Sequence, residues 1–144
     1  MINTSNFSKA KDLLKKEEKP KIVLAQNLEF NRKMLEKAEF DILLSPENNT
    51  SNTTIRSIDS GLNHVLCKIA AKKSIRIGID LEHLRNLEKK QKAIILEKII
   101  QNIKLCRKYK VQLAIKGIRD KLDSHAFLLS LGASTEQASK ALTF

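Results

Sequence analysis

The residues of this chain that carry acid–base, nucleophilic or metal chemistry are not spaced to act together. His64, His83 and His125 fall in three separate segments, and no H-x-H, H-E-x-x-H or D-x-D element gathers ligands on one helix face or turn, as a zinc or magnesium centre requires. The only glycines are Gly61, Gly78, Gly117 and Gly132, so neither a phosphate-cradling P-loop nor a dinucleotide fingerprint can be assembled. Asp80 and Glu82 stand at the end of an apolar run, where acids in an α/β protein either line an active face or cap the next helix; capping is the commoner role. Cys67 and Cys106 have no Cys or His at ligand spacing and read as buried free thiols.

What the chain has in excess is positive charge. Lys and Arg number 27 against 16 Asp and Glu, a formal charge of +11, which suits a polyanion because each neutralised phosphate releases counterions. Part of the excess has a structural role, since Lys72, Lys73, Lys108 and Lys110 fall where helices end and complement the helix dipole. Arg56, Lys116, Arg119 and Lys121 follow strands instead, on the side where α/β proteins bind ligands, and are candidates for phosphate contact. His64 lies opposite the apolar stripe of its helix, beside Lys68, and is expected to be exposed and available for contact.

The elements that must position these residues follow from apolar periodicity. Helices are predicted over 7–17, from the Asn27 cap to about Lys37, over Leu62 to Lys73, from about Leu87 to Lys108, over Leu122 to Leu131, and over Ser134 to Leu142 with a Ser134/Gln137 capping box. The third carries Leu62, Val65, Leu66, Ile69 and Ala70 as its apolar stripe. Short apolar runs at Lys21–Gln26, Phe40–Pro46, Ser74–Leu81 and Val111–Ile115 read as buried strands, and the polar stretch 47–58 reads as a loop. Alternation of strand and helix predicts an α/β fold with about four parallel strands in one domain spanning 1–144. No run of about 18 apolar residues is present to span a bilayer, and the N-terminus has no apolar signal core, so the expected location is the cytoplasm, with no membrane partner.

Residues 59–78, DSGLNHVLCKIAAKKSIRIG, closely resemble the central signature of the ribonuclease P protein component 3 family, the thirty-kilodalton subunit. The likeness extends to NLEFNRKMLEKAEFDILLSP at 27–46 and to YKVQLAIKG, LLSLG and TEQASKAL near the end, covering about 21–143. The resemblance implies a TIM-barrel-like protein, related to PHP phosphoesterases but without their metal site. It implies binding to ribonuclease P RNA together with protein component 2, indirect action on precursor tRNA, and cleavage performed by the RNA with Mg²⁺, the chain holding no cofactor of its own. Carried over by position, its basic contacts would be Arg32, Arg56 and Lys73, with Lys140 beside a basic family position.

Two departures stand out. Lys116-Gly117-Ile118 and Ser124-His125-Ala126 replace the family's small-residue stretch and Arg-x-Pro turn, so that His125 stands where an Arg is usual. A full barrel needs about 200 residues or more, and the first strands of the family have no counterpart here, so four strands would need a second copy or another chain beside them. The expectation is a non-catalytic, RNA-binding subunit. The alternatives are a protein-interaction scaffold and a PHP-like metal-dependent phosphoesterase.

Overall fold

In a computed structural model of the chain, residues 1–49 and 58–143 are described; of the predicted contacts, Arg56 lies outside them. The order is α1 (Phe7–Lys16), β1 (Ile22–Leu24), α2 (Leu28–Lys37), β2 (Ile42–Leu44), a 3₁₀ turn (Pro46–Asn49), α3 (His64–Lys73), β3 (Arg76–Asp80), α4 (Leu81–Arg85), α5 (Lys89–Tyr109), β4 (Leu113–Lys116), α6 (Lys121–Ser130) and α7 (Thr135–Ala141). Short polar side chains start the helices. Asn6, Asn27, Asn63, Asp80 and Asp120 each accept a backbone N–H of the first turn, and Ser134 and Gln137 form the predicted capping box around α7.

The four strands pair in parallel and in chain order, β1-β2-β3-β4. Because side chains alternate along a strand, Val23, Leu43, Ile77, Ile79, Leu113 and Ile115 face one way, into the large core they share with residues of the helices. Ile22, Ile42, Leu44 and Ala114 form a separate apolar cluster on the other face, in which Ile42, Leu44 and Ala114 are fully buried. Sequential order with the helical core on one face is the winding of a (β/α) barrel segment; a doubly wound sheet reverses its order and carries helices on both faces. The α/β expectation with four parallel strands therefore holds. The outer edge of β1 is partly covered by Ile2, whose N–H donates to Ile22 O and whose carbonyl accepts from Leu24 N.

The structure differs from the sequence expectation in three places. It contains α4, five residues started by Asp80, a segment too short to show a helical period in the sequence. The stretch 47–58 does not begin as loop, because Pro46–Asn49 winds a 3₁₀ turn that buries Glu47. The stripe of α3 is also rotated: Leu66, Cys67 and Ala70 are buried, whereas Val65 is 37% exposed. The helix begins at His64, and its packing on α2 and α5 favours the neighbouring angle. That packing seats the buried Cys67 and Cys106 together, and the Cys67 thiol and burial push Cys106 upward.

Candidate nucleic-acid interface

At the carboxyl ends of the strands the site is built around one carboxylate. Asp80 and Lys116 are register partners on β3 and β4, so their side chains emerge side by side, and Lys116 Nζ donates to Asp80 Oδ2 at 3.0 Å. Asp80 Oδ1 accepts the N–H groups of Glu82 (3.0 Å) and His83 (3.1 Å), as the capping reading expected. Burial works to raise the Asp80 carboxyl, but Lys116 and the two amides outweigh it and hold it below the usual carboxylate range. Lys116 is thus committed to a carboxylate within the chain.

Beside this pair a groove of about 450 Å³ runs between α4, α5 and α6. Leu81, Leu84, Leu96 and Phe127 supply apolar walls, with Arg85, Lys92, Arg119, Asp120 and Asp123 adding charge of both signs. Arg85 is fixed by donating to Gly117 O at 2.9 Å. Lys121 opens α6 and is exposed. Behind the strand ends lies a buried polar cluster that the sequence reading did not find: Ser45, Glu47, Ser60, Lys98 and Asn102. Burial pushes the Glu47 carboxyl up to about 7; Asp80 adds to the rise, and Lys98 opposes it. Asn102 Nδ2 donates to Ser60 O at 3.0 Å, and Gln101 Nε2 to Ile58 O at 3.4 Å, so α5 holds the chain where it returns after 50–57. Glu47 was hidden in a polar stretch; its only sequence signal was the proline before it.

The predicted contact residues do not gather at one place. His64, exposed at the start of α3, shares the carboxyl ends of the strands with Lys116, Arg119 and Lys121. Arg32 sits mid-helix in an ion pair with Glu36 (2.9 Å). Lys73 lies at the opposite end of the sheet, where its ammonium donates to the carbonyls of Glu36 (2.9 Å) and Ala38 (3.3 Å) and closes the end of α2. Lys140, on α7, pairs with Glu136 (2.6 Å), and His125 Nε2 lies 3.3 Å from Ser139 Oγ. Among the described residues no group of three or more His, Cys, Asp or Glu is placed to hold a metal ion, and no helix is long and apolar enough to cross a membrane.

No protein-family model matches the chain. It is similar to ribonuclease P protein component 3 of Methanococcus vannielii, 30% identical over 112 residues that make up 73% of this chain and 46% of that protein. The same-named proteins of Methanocaldococcus jannaschii (29% over 140 residues, 90% of this chain and 57% of the relative) and Methanosarcina mazei (32% over 120 residues, 78% and 47%) are similarly related. The chain spans about half the length of these curated relatives. Its fold matches a chain in a cryo-EM structure of archaeal ribonuclease P with mature tRNA, with a TM-score of 0.75, 28% identity, and coverage of 96% of this chain and 61% of that one.

Proposed function

Because the chain belongs to the ribonuclease P protein component 3 family, we propose that it is a non-catalytic protein subunit of a cytoplasmic ribonuclease P, binding the catalytic RNA and supporting removal of the 5′ leader from precursor tRNA. The observation that carries this reading is the match of nearly the whole chain to a chain of an RNA-containing ribonuclease P assembly, joined to a formal charge of +11.

The mechanism is electrostatic. Lysines and arginines replace the counterions of closely packed phosphates, which stabilises the compact fold of a catalytic RNA and carries a salt dependence set by the number of phosphates neutralised. Bond cleavage belongs to the RNA and its Mg²⁺; the protein supplies charge and shape. Protein component 2 is the proposed protein partner, and precursor tRNA is contacted indirectly. Within this reading Arg56, His64, Arg119, Lys121 and His125 remain candidate contacts. Arg32, Lys73, Lys116 and Lys140 contribute only if RNA displaces the partners they already hold.

The purified chain with Mg²⁺ or Mn²⁺ is expected to leave RNA and simple phosphodiesters intact while binding ribonuclease P RNA with an affinity that falls as salt rises. Hydrolysis that survives purification and disappears in His64→Ala or His125→Ala would overturn the non-catalytic assignment.

A further inference from the structure

Helices α1, α2, α3 and α5 all deliver their carboxyl ends to the side of the sheet where the strands begin. Three hollows lie side by side there. The first is lined by Lys19, Lys21, Lys73 and Ile75 together with the carboxylates of Glu39 and Asp41; the second by Ser74, Ile75 and Lys110; the third by Arg107, Lys110 and Lys140 together with Glu136, which pairs with Lys140. Sharing Ile75 and then Lys110, they form one continuous strip. With neighbouring strands about 4.8 Å apart, the four strand starts span about 15 Å, enough to face several phosphates. Lys72 and Lys108 extend the strip in the last turns of α3 and α5. Among the described residues, none of Lys19, Lys21, Lys72, Arg107, Lys108 and Lys110 has a carboxylate within ion-pair distance. All are exposed except Lys21, which is half-buried.

The opposite end of the sheet differs in that two of its carboxylates, Asp80 and Asp120, stand at helix starts. Lys116 is neutralised by Asp80, and the groove there sets Arg85, Lys92 and Arg119 against Asp120 and Asp123. Helix N-termini attract phosphate through free N–H groups; those of α2, α3, α4 and α6 are already occupied by Asn27, Asn63, Asp80 and Asp120, two of them carboxylates, whereas that of α5 has no side-chain cap. At the strip, each helix carboxyl end brings a partial charge of about minus one half. This accounts for cations in the last helical turns. It does not account for Lys19 and Lys21, which flank Pro20 between elements, and it accounts for Lys110 only as the C-cap of α5.

We propose that the strip at the strand N-termini, from Lys19 and Lys21 across Lys110 to Arg107, is the main RNA-binding face of the chain, taking the sugar–phosphate backbone of ribonuclease P RNA. This rests on the proposed function and moves the contact surface away from the carboxyl ends of the strands, where the sequence alone placed it.

The test is a set of salt-dependent titrations of a ribonuclease P RNA transcript, followed by anisotropy, with a thermal melt for each protein. The triple variant Lys19→Gln, Lys21→Gln, Lys110→Asn removes three cations of the strip and keeps those within the last helical turns of α3 and α5. Asn suits position 110, the C-cap of α5, whose φ is +59°. Loss of three contacts should flatten the slope of log affinity against log salt by about two and weaken binding about tenfold or more at low salt, with an unchanged melt. Lys→Arg at the three positions should retain binding, and this holds the test open if the neutral triple folds poorly. Lys9, Lys11 and Lys90→Gln, which remove equal charge elsewhere, should change the slope by less than one. The face is wrong if Arg119→Gln with Lys121→Gln flattens the slope while the strip variant does not. It is also wrong if the control triple loses as much as the strip triple, which would mean diffuse charge. An unaltered chain with no salt-dependent RNA affinity would overturn the proposed function itself, and a strip that binds phosphatidylserine vesicles but not RNA would replace the partner with a membrane.

Discussion

Replacing Glu47 by Gln should remove a pH dependence of stability that the unaltered chain shows between about pH 5 and 8. The carboxyl is 3% exposed in the 3₁₀ turn after β2. Burial raises it from 4.5 to about 7, and the nearby Asp80 adds to the effect; a backbone N–H, Lys98 and Ser45 restrain it. Because the folded value lies above the unfolded one, the folded state holds more protons between these limits, so stability falls as pH rises through them. The full contribution is present below the unfolded value of 4.5 and is lost above about 7. A rise of this size corresponds to about 3 kcal/mol, a large part of the stability of a small protein. Urea denaturation of both proteins from pH 5 to 8 should show the difference shrinking or reversing in favour of Gln at pH 8. A difference that does not change with pH would mean that Glu47 is ionised throughout.

Gly78→Val should destabilise the fold more than any exposed substitution. Gly78 occupies the centre of the sheet, in register with Leu44 on one side and Ala114 on the other. A Cβ placed there would meet Ile42 Cγ2 and Leu44 Cδ1, each at 2.8 Å, and Leu44 Cα at 3.4 Å. Ile42 and Leu44 are fully buried and belong to the second apolar cluster, so they have no open side to move into. Elsewhere in a strand, replacing Gly would recover backbone entropy of about 0.5 to 1 kcal/mol. Here overpacking costs about 1 to 3 kcal/mol and grows with the two extra methyl groups of Val. The check is a lowered urea midpoint with unchanged m-value, larger for Val than for Ala. A neutral Gly78→Val would mean that the inner face of the sheet is looser than these contacts indicate.

Much of the architecture could be read from short-range pattern. Strand runs rich in Ile, Leu and Val without alternation signalled buried strands, and Asn27 and Ser134 announced their helices because capping is decided within three residues. The site was legible only in part. Asp80 and Lys116 are 36 residues apart and meet through strand register, which no local spacing encodes. Glu47 looked like a solvated loop acid and is buried because its turn packs on α5. Cations at helix ends were assigned to the dipole one helix at a time. That the loops at Lys19, Lys21 and Lys110 share one end of the sheet becomes visible only once the strands are ordered.

The proposed role of the chain as a protein subunit of ribonuclease P can be measured by reconstitution. Precursor-tRNA cleavage is measured with the cognate RNA, its other protein subunits and Mg²⁺, with and without this chain. Adding the chain is expected to raise cleavage or lower the Mg²⁺ needed for it, and the strip variant to restore less than the unaltered protein. Cleavage that is the same with and without the chain, under conditions where the chain binds the RNA, would contradict that role.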